Sequence, residues 1–301
     1  MHGALTAGLV LLAALAAPMD AQQTRRQAEF ESRLDTTVTF DRRGTVVLSA
    51  GGGEIVLDSW NQDRVRVRAR AERGVVRLDA TPARLTLELT RGRGSDVRYE
   101  VTVPVGVRVS ARTTSGDITI VGTKAAVDAS TQSGDLTVED VAETIDLRTM
   151  SGDISARALA GNVEAGSYNG DVTLTDVRGD VDASSISGDI TVRNAISRYV
   201  RVKSTSGDLV YDGAVDASAR YELGSHAGNV HLTIPQSTGA LLSVATYSGS
   251  IESDFPITLK PGEHGINRFT FEIGKGDARL SAESFSGDIT VRTRPRASTD
   301  R

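Results

Sequence analysis

The chain has 301 residues, 4% aromatic residues, no cysteine and a formal net charge of −5. Without cysteine there are no disulfides, no thiolate metal sites and no lipidated cysteine anchor, so ladder hydrogen bonds and an apolar core must hold the fold. Residues 22–112 carry 17 Lys and Arg against 12 Asp and Glu, residues 113–290 carry 13 against 25, and the tail from 291 carries 4 against 1. The acidic middle excludes nucleic-acid binding there, because phosphate contacts need a basic footprint.

Residues 1–21 read as a secretory signal peptide. Its apolar run, 5–17, is too short to span a bilayer comfortably, and small residues precede a cut after Ala21. A retained membrane anchor is the alternative. Cleavage implies an exported protein (periplasmic, on the cell surface or secreted) with no stable transmembrane segment. Residues 22–33 are polar and charged and read as a flexible lead-in.

An irregular all-β N-terminal region is predicted for 34–112. Its strand signals fall at 35–40, 44–48, 54–57, 64–69, 75–78, 84–89 and 97–103, with apolar and polar residues alternating between Gly and Pro punctuation. Gly51-Gly52-Gly53 reads as a degenerate first corner of the array that follows. Trp60, the only Trp, is expected to plug the N-terminal end of the core. Arg64, Arg66, Arg68 and Arg70 make a basic stripe, read as a solvated strand face.

From 113 to 291 one phrase returns. Ser-Gly-Asp, with Asn169-Gly170-Asp171 filling one gap, places glycine at 116, 134, 152, 170, 188 and 207, in steps of 18, 18, 18, 18 and 19. A fixed period over this many copies predicts a parallel β-solenoid, or β-helix, with coils of about 18 residues and Ser-Gly-Asp turns. Columns such as Ile118, Leu136, Ile154, Val172, Ile190 and Leu209 alternate with Thr119, Thr137, Ser155, Thr173 and Thr191, as in a half-buried strand. A second strand follows Val127, Ile145, Val163, Val181 and Val200, with Asp128, Asp146, Glu164 and Asp182 outward.

The corner residues Gly116, Gly134, Gly152, Gly170, Gly188, Gly207 and Gly287 are read as structural. So are Asp117, Asp135, Asp153, Asp171, Asp189, Asp208 and Asp288, whose carboxylates can take corner amides. After 208 the period loosens, through Gly228 and Gly249. Residues 255–268 read as a loop, and Gly287 as the last corner, where Gly287→Val should cost less than Gly152→Val. Residues 292–301 read as a disordered tail.

The repeating acids admit two chemical alternatives. Stacked carboxylates suit calcium, but the two glycines per turn of the calcium nonapeptide are missing. Paired carboxylates also serve carbohydrate-active β-helix enzymes, yet here the acids repeat with the coil. The histidines His226, His231 and His264 read as surface residues. No catalytic residue, metal ligand or cofactor site is assigned.

The Ser-Gly-Asp-aliphatic array, the lead-in Trp60-Asn61-Gln62-Asp63-Arg64-Val65-Arg66-Val67, and the closing block from Gly274-Lys275-Gly276-Asp277 to Ser286-Gly287-Asp288-Ile289 together resemble the bacterial "putative adhesin" family, exported domains of unknown function. The likeness spans about residues 40–293. It implies a β-solenoid outside the cytoplasm, adhesin-like, with no catalytic residues to carry over. The expectation is a non-enzymatic cell-envelope or surface protein, structural or interacting with an envelope protein or polysaccharide.

Overall fold

The computed structural model describes residues 32–90, 97–256 and 267–294. The signal peptide, residues 22–31 of the lead-in, 257–266 of the loop and 295–301 of the tail lie outside the described residues. Two boundaries move: Ser32 and Arg33 open the strand Ser32–Thr39, and Arg292 to Arg294 end the strand Ile289–Arg294. The described residues form 21 strands and no helix.

Most neighbouring strands run parallel, one repeat apart. On one face Leu136 pairs with Ile154, then Val172, Ile190 and Leu209. On the other, Val127 pairs with Ile145, then Val163, Val181, Val200 and Tyr221. A single rung turns in too few side chains to exclude water, so stacking like on like is what makes the core. Leu136, Ile154, Val172, Ile190 and Leu209 are at most 1% exposed, each contributing about 1.5–3 kcal/mol of transfer free energy. A third buried column, Val141, Leu159, Val177 and Ala195, lies at the corner opposite the glycines. The period-two reading missed it because the chain bends there.

The order of rungs in space departs from chain order at both ends of the stack. The strand Thr45–Trp60 lies between Arg84–Thr90 with Val97–Pro104 on one side and Arg108–Ser115 with Ile118–Val121 on the other. At the far end, Ala278–Ser286 is interposed between Leu209–Ala227 and Ala240–Ser248. Its continuation, Ile289–Arg294, is interposed between Val230–Pro235 and Ile251–Ser253. Gly287 is therefore an interior corner, not the terminal one expected from its place in the chain.

Antiparallel strands flank the stack at each end. Ser32–Thr39 pairs with Arg64–Ala71, which pairs with Val97–Pro104; Val75–Ala80 pairs with Arg84–Thr90; Asn267–Ile273 pairs with Ala240–Ser248. Trp60 does not plug the core. Alternation from Ile55 and Leu57 turns Ser59 inward and leaves Trp60 on the outer side, half-buried, with its indole N–H donating to the Arg64 carbonyl at 2.7 Å. Phe40 and Tyr99 are the large buried rings in this part of the core.

Glycine is required at the corner by the rung beneath it. At Gly152, φ is +149° and an added Cβ would sit 2.0 Å from the Gly134 carbonyl oxygen. Gly207 keeps the same 2.0 Å approach, to Gly188, without a left-handed φ, so contact alone suffices. The opposite corner has its own left-handed column: Gly122, Asp140, Ala158, Asp176 and Asn194, with φ from 53° to 77°. Gly, Asp and Asn tolerate that region, whereas Ala158 bears a penalty of about 1–2 kcal/mol.

Gly152→Val should lose about 1–3 kcal/mol in denaturant unfolding. Gly287→Val should lose a comparable amount, because its Cβ would meet the Gly228 carbonyl oxygen at 2.2 Å. Ala158→Gly should gain about 0.5–1 kcal/mol as backbone strain is released, net of the entropy of glycine. An unchanged midpoint for Gly152→Val would contradict the close-contact account.

Candidate interaction surface

The Ser-Gly-Asp corners build two rows of hydrogen bonds between rungs. In the first, each Asp accepts the amide of its counterpart one rung on. Asp135 N–H donates to Asp117 Oδ1 at 2.9 Å, Asp153 to Asp135 at 2.8 Å, and Asp171 to Asp153 at 2.8 Å. The row continues through Asp189, Asp208 and Asn229, at 2.8, 2.7 and 2.7 Å. Asn229 Oδ1 then takes the Asp288 amide at 2.9 Å, and Asp288 Oδ1 takes the Ser250 amide at 2.7 Å. The amide and hydroxyl of Ser250 hold the Asp288 carboxyl below its ordinary range.

The second row lies inside the corner. The buried hydroxyls of Thr131, Thr149, Ser167, Ser185 and Ser204 donate to the carbonyls of Gly116, Gly134, Gly152, Gly170 and Gly188 at 3.1–3.2 Å. Sequence reasoning left this column unassigned. A Thr or Ser three residues before each glycine was the available signal.

Three of the four outward acids pair with arginine. Arg112 pairs with Asp128 at 2.7 Å, and Arg148 bridges Asp146 at 2.6 Å and Glu164 at 2.7 Å. Burial still pushes the Asp146 carboxyl above its ordinary range, against Arg148 and with help from Glu164 and Asp128 on either side. Its Oδ1 is buried without a hydrogen-bond partner. Within the N-terminal arginine stripe, Arg66 and Arg68 reach Asp35 at 3.3 and 3.8 Å and Arg68 reaches Glu100 at 3.7 Å; nearby, Arg98 reaches Glu54 at 2.6 Å.

His226 and His231 fall on strands either side of the Gly228 corner, and His264 lies outside the described residues. Among the described residues no three His, Asp or Glu side chains converge where a metal ion could sit.

One column breaks the polar surface. The residue before each corner Ser points outward, and from the middle of the stack onward it is mostly apolar. Met150, Tyr168, Ile186, Phe285 and Tyr247 are 41–58% exposed. Phe285 stacks between His226 and Tyr247, with ring centroids 4.8 Å apart on each side. That triplet exists only because the last rung is interposed. In the chain its members are 226, 247 and 285; in space the order is 226, 285, 247. The apolar column could have been found by aligning the residue before each Ser-Gly-Asp. The triplet could not.

Beside the triplet runs a groove of about 560 Å³, lined by Ser184, Lys203, Gly224, Ala245, Arg268 and Glu283 among others. A larger one, about 680 Å³, lies at the N-terminal corners, where Arg98 and Glu54 pair across its lining.

These features define an all-β protein, a solenoid-like parallel stack that carries one apolar column on its surface. The chain belongs to the Toastrack DUF4097 family, whose model matches residues 61–292, and the adhesin-family resemblance read from the Ser-Gly-Asp array holds. Among solved structures, it is similar to a putative adhesin from Bacteroides fragilis NCTC 9343, at 13% identity and TM-score 0.35, over 87% of this chain and 97% of that one. A putative lipid binding protein from Parabacteroides distasonis ATCC 8503 aligns at 7% identity and TM-score 0.40, over 88% and 97%. A putative cell adhesion protein from Clostridium sporogenes ATCC 15579 aligns at 11% identity and TM-score 0.21, over 87% and 100%. No curated protein sequence matches the chain.

Asp153→Ala should lose about 0.5–1.5 kcal/mol, because the Asp171 amide loses its acceptor, while Asp153→Asn keeps one and stays near wild type. Asp146→Asn should have the opposite sign. With the folded-state value raised, the unfolded chain ionises first, so stability falls as pH rises through the carboxylate range and the full penalty stands at neutral pH. Asp146→Asn should therefore melt at or above wild type at pH 7 and flatten that fall. A strongly destabilised Asp146→Asn would contradict it. Sodium and calcium at matched ionic strength should raise the melting temperature equally, with no effect of chelator. A saturable calcium shift would show that the carboxylate rows bind the ion.

Proposed function

We propose that this chain is an exported, non-enzymatic parallel β-solenoid with coils of about 18 residues and Ser-Gly-Asp turns, acting as an adhesin-like interaction module of the cell envelope or surface. Its partner is an envelope protein or polysaccharide, and it uses no cofactor. On this reading residues 1–21 are removed on export, 34–112 form the irregular N-terminal coils and 113–291 the regular array.

The observation that carries the reading is the exposed apolar column. Contiguous apolar groups on a soluble surface are associated with binding sites, and this column sets Met150, Tyr168 and Ile186 on three successive rungs and, past Thr205, continues in the ring stack, beside rows that are otherwise charged or hydroxylated. The corner carboxylates are engaged with backbone amides, which favours a scaffold role for them over acid–base chemistry.

Purified full-length protein should be retained by intact bacterial cells and by their envelope fraction. Replacing Met150, Tyr168 and Ile186 together by Ser should weaken retention at least about tenfold, some 1.4 kcal/mol. The melting temperature should change little, since these side chains are exposed. Failure of the wild-type protein to be retained, or equal retention of the triple variant, would defeat the proposal.

A further inference from the structure

Gly224 is unlike the corner glycines. Its backbone is outside the left-handed region, and a Cβ built on it would meet no atom within 4 Å. Neither conformation nor packing demands glycine there, yet it lies in mid-strand, where glycine weakens a sheet. What its missing side chain does is leave the floor of the 560 Å³ groove open.

The walls of that groove fix the chemistry of an occupant. On one side stand His226, Phe285 and Tyr247, stacked face to face along the axis, so ring edges, not faces, are turned outward. Ring edges carry the positive end of the aromatic quadrupole and favour oxygen over cations or aliphatic surface. Lys203 is exposed in the lining and has no ion-pair partner among the described residues, whereas Arg201, two residues before it, stands between Asp182 and Glu222 on the neighbouring rungs. Arg268 is neutralised by Glu283 at 3.1 Å. Lys203 is thus the lining cation left to meet an anionic group, within a region that holds 13 basic against 25 acidic residues. Exposed Ser184 and Thr205 add hydroxyls to the lining.

The strands Ile190–Ser206, Leu209–Ala227 and Ala278–Ser286 under the groove are paired on both sides. The strand Asn267–Ile273, which brings Arg268 to the lining, pairs on one side among the described residues, so main-chain addition of a peptide there is the competing outcome of the test. A linear polymer lying along the axis meets a fresh rung every ~4.8 Å, with anionic groups near Lys203 and hydroxyls against the ring edges.

We propose that this groove binds a linear acidic polysaccharide, with Lys203 taking a carboxylate. The proposal rests on the interaction-module reading and names its ligand. Full-length protein run through gels containing polygalacturonate or alginate should be retarded by both, and at least about tenfold less by the methyl-esterified polygalacturonate. Added salt should relieve the retardation. Gly224→Val, which fills the floor without strain, and Lys203→Gln should each weaken retardation at least about tenfold with melting unchanged. Thr173→Val, on the opposite face, should leave it as in wild type. No retardation by either polyuronate, equal retardation by the ester, indifference to both groove substitutions, or stronger retardation by poly-glutamate would each overturn the proposal. If cells still retain the protein in any of those cases, the interaction module stands and only this ligand falls.

Discussion

The structure depends on how closely one rung's corner carbonyl approaches the next rung's α-carbon. From Gly116 through Gly207, and again at Gly228, Gly287 and Gly249, a Cβ would fall within 1.6–2.2 Å of a backbone oxygen. That approach is available only to glycine, and it persists where the step lengthens to 19 residues at Gly207 and 21 at Gly228. It therefore explains the residue at every corner, whatever the length of the rung between. It also brings the corner amides and carbonyls of successive rungs into reach of short side chains. Asp takes the amide on the outside and Ser or Thr the carbonyl on the inside, so the three residue types of the repeat answer one geometric demand.

Much of this was legible in the chain. The glycine spacing gave the period, and the alternation around Ile154 and Val163 gave the two faces and their inward columns. What could not be read was order. Periodicity says which residues share a column but not which rungs are neighbours, and at both ends a terminal rung is interposed out of sequence. Gly287 was misplaced for that reason, and the His226, Phe285 and Tyr247 stack was invisible. Trp60 failed differently: its size suggested a plug, whereas the parity of its strand turned it outward. The Val141 column was lost because it sits on a bend with left-handed residues, where period two does not apply.

Interposition also bears on how such a stack ends. A parallel stack leaves an open ladder at each end, and open ladders recruit other strands. Here the terminal rungs carry antiparallel neighbours, Val75–Ala80 and Arg64–Ala71 at one end and Asn267–Ile273 at the other. Because Ala278–Ser286 and its continuation Ile289–Arg294 are each paired on both sides, the last described strands cannot peel away as an edge strand would. The arrangement raises the sequence separation of the contacts, which slows folding. It makes the end of the stack depend on chain segments far apart.

The same constraints sort the surface into what the fold dictates and what it leaves open. Inward columns are fixed by the core, corner residues by the carbonyl approach, and three of the four outward acids by arginine. Only a few outward positions answer to none of these. The apolar column before the corners is one such set, and Gly224 with Lys203 is another. A glycine explained by its φ or its neighbours carries no information about a ligand. Gly224 has neither explanation, and it lies between Lys203 and Glu283 on the neighbouring rungs, with the ring stack along one side.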